Sequence, residues 1–196
     1  MNETRAFRLL PLLLILLAAA CSSQSEVPPL QGAKLQNAFT LTDGHGRQVS
    51  DRQFGGKYRL VYFGFTYCPD VCPVDLQNIG KAMRQLEKSD PKLAERVQPI
   101  FITVDPDRDT PAVMKQYVSA FHPRIIGLTG TKEQIAAVAK KHGVFFQKED
   151  GAGSSQYLVN HSRIALLFGP EGEPIAIVPH DQGADAIAAE LKRWVA

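Results

Sequence analysis

The 196-residue chain has little cysteine, one tryptophan and no long apolar run. Three cysteines, Cys21, Cys68 and Cys72, cannot make a multi-disulfide scaffold. The longest apolar run, Leu9 to Ala20, is 12 residues. A bilayer-spanning helix takes about 20. No charge of one sign dominates: 22 Lys+Arg against 20 Asp+Glu leave +2. That lacks the basic excess of a protein that grips nucleic acid by its phosphates. With 44% hydrophobic and 21% charged residues, the composition is that of an ordinary globular protein. Disorder and collagen-like repeats are excluded, and one domain is expected. There is no internal repeat and no low-complexity tract.

Arg5 and Arg8 precede the apolar run, and small residues follow it. That is the pattern of an export signal over residues 1–20. Cys21 directly after Ala18-Ala19-Ala20 resembles a bacterial lipoprotein site, with cleavage before Cys21 and lipid on its thiol. A plain signal peptide and an uncleaved anchor are the alternatives. Each reading exports the remainder to an oxidising compartment, and the lipoprotein reading expects a lipid-anchored protein on the periplasmic side of a bacterial membrane. Residues 22–37 are polar, carry Pro28-Pro29 and show no periodicity. With Cys21 they read as a lipidated tether over 21–37, ahead of a single domain over 38–196.

Within that domain Phe39 and Leu41 alternate with threonines before Asp43-Gly44, which predicts a hairpin. Arg59 to Phe65 is a near-continuous apolar run, as a buried parallel strand requires. Leu76, Ile79, Met83 and Leu86 recur at helical spacing after Pro73. Val97 to Val104 predicts the next strand. Thr110-Pro111 opens a helix as N-cap and first residue. A short strand at Ile125 to Leu128, a helix from Thr131 to His142 stopped by Gly143, a hairpin of Ile164–Phe168 and Ile175–Val178, and a helix over Gly183–Val195 complete the chain. The order is α/β, a thioredoxin-like fold with an N-terminal β-hairpin and a helix-strand insert. Ligands of such sheets sit beyond the carboxyl ends of the parallel strands. The segments starting at Thr66 and Asp105 leave two such ends and are expected to be neighbours.

Cys68-Pro-Asp-Val-Cys72-Pro73 lies at one of these strand-to-helix junctions. The helix dipole and free N–H groups favour thiolates there, and thiolates are both nucleophiles and soft metal ligands. The spacing is C-x-x-x-C, one residue longer than the C-x-x-C of thioredoxin-type oxidoreductases. The extra residue lets both sulfurs lean toward a common point. A plain stabilising disulfide is the alternative, although so short a loop constrains the unfolded chain little.

Three motifs in order, Cys68-Pro-Asp-Val-Cys72-Pro73, then Asp105-Pro-Asp-Arg-Asp-Thr-Pro111, then Tyr157-Leu-Val-Asn-His161, resemble the Sco/SenC family over residues 35 to 196. The resemblance implies a membrane-tethered copper chaperone of thioredoxin-like fold, linked to cytochrome c oxidase assembly. It implies copper held by Cys68, Cys72 and His161. The implied partners are the oxidase's copper-bearing subunit or another copper carrier, and a thiol reductant. Copper(I) suits such a soft donor set. Oxidation of the two cysteines to a disulfide removes the thiolates. The resemblance also puts the Asp105 loop beside the site, with Asp109 ordering it or touching a partner. Asn160 stands where many members have Asp.

Other readings of the same residues remain. A thiol–disulfide oxidoreductase that reduces the cysteines of the oxidase copper site would use Cys68 and Cys72 without His161. Such enzymes carry a Pro before the corresponding strand, where Val159-Asn160-His161-Ser162 has none. A peroxidase would place Thr three residues before its Cys, and Thr66 is two before Cys68. Asp105, Asp107 and Asp109 lack the Gly and the final acid of an EF-hand. His45, His122, His142 and His180 read as exposed or capping residues, with His142 placed to meet a helix dipole.

Overall fold

The structure, a computed structural model, describes residues 26–149 and 157–195. Its centre is a mixed sheet of seven strands in the order β2 (Gln48–Ser50), β1 (Thr40–Asp43), β5 (Ile126–Thr129), β4 (Val97–Thr103), β3 (Tyr58–Gly64), β8 (Ala165–Phe168) and β9 (Pro174–Val178). β3 and β4 are buried along their whole length and pair in parallel, from Tyr58 opposite Val97 to Gly64 opposite Thr103. Strands covered on both faces carry continuous apolar runs, the pattern of Arg59 to Phe65. β8 and β9 form the expected closing hairpin, and β1–β2 joins β5 as the expected N-terminal one.

Alternation along β3 sends Tyr62 and Gly64 to one face and Phe63 to the other. Tyr62 and Gly64 face α1 (Val71–Ser89), with Phe101 of β4 beside both. α1 packs against α5 (Ala184–Trp194). A short helix, α2 (Pro91–Arg96), which sequence reasoning did not separate, links α1 to β4. α3 (Pro111–Ser119) starts as expected: the Thr110 hydroxyl accepts from Val113 N–H, and Pro111 fills the first position. Phe63 meets His142 at the end of α4 (Lys132–Lys141), which opens with a reciprocal capping box between Thr131 and Gln134. Gly143, at φ +67°, turns the chain out of that helix. Among the described residues no helix is long and apolar enough to cross a membrane.

Three expectations change. First, the described part of the segment read as a tether lies against the domain. Leu30 N–H donates to Ile175 O, Gln36 N–H to Lys141 O, Glu26 pairs with Arg193, and Leu30 and Leu35 pack on the core. Second, β6 (Phe146–Lys148) and β7 (Val159–His161) form a separate two-stranded ribbon, so His161 ends a strand instead of preceding one. Third, His122, His142 and His180 are buried. His142 bonds Val138 O and the Asn37 side chain and sits between Phe63 and Phe168. Burial lowers its pKa to about 4, so it stays neutral, and the expected dipole stabilisation of a charged imidazole does not apply.

The sign of the pH effect follows. A depressed histidine pKa means that the unfolded chain binds the proton first as pH falls. Stability is then full above about pH 6.5 and declines toward pH 4, by about 2 kcal/mol at pH 5. Urea unfolding at pH 7 and pH 5 is expected to show that loss in wild type and a smaller one in His142→Gln.

Candidate metal centre

β3 ends at Gly64, and the chain turns through Thr66 and Cys68 into α1. Cys72 is therefore in the helix's first turn, fully buried, while Cys68 is half-buried in the loop before it. Both are free thiols. Cys72 N–H donates to Cys68 Sγ at 3.5 Å, as helix N-terminal amides do to an anion. The Cys72 thiol also bonds Cys68, and these bonds together outweigh burial and hold the Cys68 pKa far below the ordinary thiol value. The Cys68 thiolate and burial push Cys72 up. The pair is asymmetric: half-buried Cys68 is shifted toward the thiolate and buried Cys72 toward the neutral thiol.

The glycine at the end of β3 makes room for this. A Cβ on Gly64 would lie 2.8 Å from Cys72 Sγ and 2.9 Å from the Phe101 ring. Only a bare backbone lets the sulfur rest on the strand end.

His161 arrives from the ribbon. Its Nε2 lies 3.5 Å from Cys72 Sγ, and its ring stands edge-on to Phe65 at 5.9 Å. Nδ1 donates to Ser162 O at 3.1 Å, which leaves the Nε2 lone pair facing the sulfurs. That tautomer is the one a metal requires. With bonds of about 2.0–2.3 Å to one ion, donors 3.5 Å apart subtend a near-tetrahedral angle. Among the described residues no trio of His, Cys, Asp or Glu is fully gathered around one point. Two thiolates and an imidazole form a soft donor set, which fits copper(I) better than a hard cation.

Asp109 is buried beneath the motif. It accepts from Thr66 N–H at 3.1 Å, Thr66 Oγ1 at 2.5 Å and Thr103 Oγ1 at 2.5 Å. It lies under the cysteine loop as a brace, and Thr66 and the Asp105 segment are the neighbours expected. Asp105 accepts from Arg108 and Tyr157 instead of lining a cation site. The Arg108 guanidinium lies 3.7 Å from the Tyr157 ring and 4.6 Å from that of Tyr67.

Sequence reasoning missed Asp75. It is fully buried one turn beyond Cys72, where it accepts from Tyr62 Oη at 2.7 Å and from Arg163 Nε and Nη2 at 2.8 and 2.6 Å. His180 Nε2 lies 3.5 Å away. The signal was present: an acid beside the apolar stripe of Leu76, Ile79 and Met83 needs a partner if buried.

The SCO1/SenC family model matches residues 27–196. The chain belongs to the SCO1/SenC family. It is 42% identical over 166 residues to the bovine Protein SCO2 homolog, mitochondrial, covering 85% of this chain and 62% of that protein. It is 43% identical over 166 residues to Protein SCO2, mitochondrial, of Saccharomyces cerevisiae, covering 82% and 54%. The chain thus spans little more than half the length of these relatives. The structure of Bradyrhizobium japonicum ScoI with copper bound aligns with TM-score 0.73 at 37% identity, covering 82% of this chain and 99% of that one. The thioredoxin domain of a Bacteroides vulgatus thiol-disulfide oxidoreductase aligns with TM-score 0.54 at 19% identity, a likeness of fold alone. The fold is thioredoxin-like, as expected.

One expectation is overturned. The bovine, yeast and human relatives are named mitochondrial proteins, which points to a mitochondrial location and away from a lipid-anchored one on the periplasmic side of a bacterial membrane. A basic, apolar leader marks export without naming the membrane. The expected signal over residues 1–20 and the lipidated Cys21 lie outside the described residues.

The geometry has two measurable consequences. Alkylation by iodoacetamide at pH 6 is expected to label Cys68 well before Cys72, read by peptide mass spectrometry. Equal labelling would contradict the asymmetry. Gly64→Ala is expected to cost about 1–3 kcal/mol by overpacking, and to make Cys72 more reactive as its sulfur is displaced.

Proposed function

We propose that this protein is a copper metallochaperone that binds one copper ion through Cys68, Cys72 and His161 and delivers it to the copper-bearing subunit of cytochrome c oxidase. The observation that carries the reading is that one helix terminus holds both sulfurs, with Cys72 N–H bonded to Cys68 Sγ and His161 Nε2 3.5 Å from Cys72 Sγ while Ser162 O holds its Nδ1 proton. Solved relatives with copper bound support the choice of metal. Three ligands leave a coordination position for a donor from the recipient. Transfer then proceeds by ligand exchange, without free copper. Loading requires the reduced pair, so a thiol reductant is the second partner: disulfide formation withdraws two electrons, releases the Cys72 proton and abolishes both ligands.

A second reading rests on the asymmetry of the cysteines. In a thiol–disulfide oxidoreductase the Cys68 thiolate would attack a target disulfide, and the Cys72 thiol would release the mixed disulfide as the target leaves reduced. That activity needs no imidazole ligand.

Anaerobic copper(I) competition against a chelator of known affinity separates the two. One-to-one binding that falls at least tenfold in His161→Ala, and further in Cys68→Ala or Cys72→Ala, is expected for the chaperone. Affinity indifferent to His161, together with reduction of an oxidase-subunit disulfide by the His161→Ala protein, would favour the oxidoreductase.

A further inference from the structure

His161 is carried by a ribbon outside the main sheet that reaches the core through Val159 and the Tyr157–Asp105 bond. β7 pairs only with β6, three residues on each side, and neither strand joins the seven-stranded sheet. A two-stranded ribbon of this size is marginal on its own. The main sheet resumes at Ala165 of β8, three residues beyond Ser162. The local bonds do not fix the imidazole against the cysteines. Nδ1 bonds the next residue's carbonyl, while the Ser162 amide and hydroxyl bond Phe145, which adjoins β6.

Arg163, two residues past His161, reaches out of this segment. Its Nε donates to Asp75 Oδ2 at 2.8 Å and its Nη2 to Asp75 Oδ1 at 2.6 Å. The two-bond fork fixes orientation as well as distance. Asp75 is completely buried on α1, three residues after Cys72, and Tyr62 of β3 also donates to its Oδ2. The Arg163 side chain is 38% exposed and that of Asp75 is buried, so the bond closes from the surface onto a fixed acid.

We infer that Arg163, through Asp75, is a positioning residue for His161. It fastens the strand carrying the imidazole to the helix carrying Cys72 and thereby sets the gap between Nε2 and Sγ. The inference rests on the copper reading above. Arg163 touches neither cysteine and contributes no ligand. Its effect passes through His161 alone. A salt bridge that merely stabilised the fold would affect copper equally whether or not the imidazole were present.

A double-mutant cycle distinguishes these. Arg163→Met is expected to lower copper(I) affinity about tenfold in the wild-type background, the scale of losing a group that orients a ligand. In the His161→Ala background it is expected to change affinity by no more than about twofold, the limit for independent sites. Because Arg163→Met leaves a buried carboxylate unpaired, the paired Asp75→Asn/Arg163→Met protein, which removes both charges, is measured alongside and is expected to behave the same way. In the metal-free protein, amide relaxation by NMR is expected to show residues 159–163 gaining motion in both variants while α1 does not. Equal losses in both backgrounds, no loss in the wild-type background, or an unmoved 159–163 segment would overturn the inference. If His161→Ala itself binds copper as tightly as wild type, the ligand reading fails, and the relaxation data still decide whether the clamp exists.

Discussion

Two parallel strands end side by side beneath the cysteines, and the buried carboxylate of Asp109 bridges them. It takes Thr103 at the end of β4 and both the amide and hydroxyl of Thr66 just past β3. Burial holds its pKa above the ordinary carboxylate range even with three donors pulling it down. Each donor left without it would be a buried polar group lacking a partner, at about 1–3 kcal/mol apiece. The path of the cysteine loop depends on this brace. Thr66 is held from below, and only five residues separate it from Cys72. Where the strand ends are pinned, the helix start is pinned, and with it the direction of both thiols.

From that frame the chemistry of the pair follows. Cys72 is sealed against Gly64 and Phe101 by packing, so its neutral form is favoured. Cys68 stands in the loop, where the Cys72 amide and thiol both donate to it. One proton is thus shared unequally between two sulfurs a single turn apart. The same asymmetry serves metal capture and thiol exchange. The thiols alone therefore cannot distinguish a carrier from a reductase, and the histidine must.

Sequence reasoning recovered what local pattern encodes. The buried run of β3, the Thr110-Pro111 cap, the Gly143 stop and the cysteine spacing are all set within a few residues, and each of these lies where expected. The neighbourhood of Thr66 and the Asp105 segment was also legible, because the topology of parallel strands dictates which loops meet. What escaped was set by distance. Asp75 and Arg163 are 88 residues apart in sequence. The β6–β7 ribbon is too short for any periodicity to register. His142 reads as a helix-end residue by position, but Asn37 from the N-terminal segment closes over it. That segment looked like a tether because its polar residues mask two anchoring leucines, Leu30 and Leu35.

The uneven anchoring of the three proposed ligands bears on how a carrier lets go. Cys68 and Cys72 belong to the helix start that Asp109 and the central strands hold, so moving them means disturbing the core. His161 belongs to a six-residue ribbon that pairs with no strand of the main sheet and reaches the core through Val159, so it shifts with less disturbance than the central strands. Three equally rigid ligands would bind copper well and release it slowly, because each must leave in turn against the full stiffness of the fold. A soft third ligand lowers the first step of release. It also lets an incoming donor take the vacated position while the two thiolates still hold the ion. The Arg163–Asp75 bridge then sets a compromise: tight enough to keep the imidazole on the sulfurs at rest, and near enough to solvent for an approaching surface to compete with it.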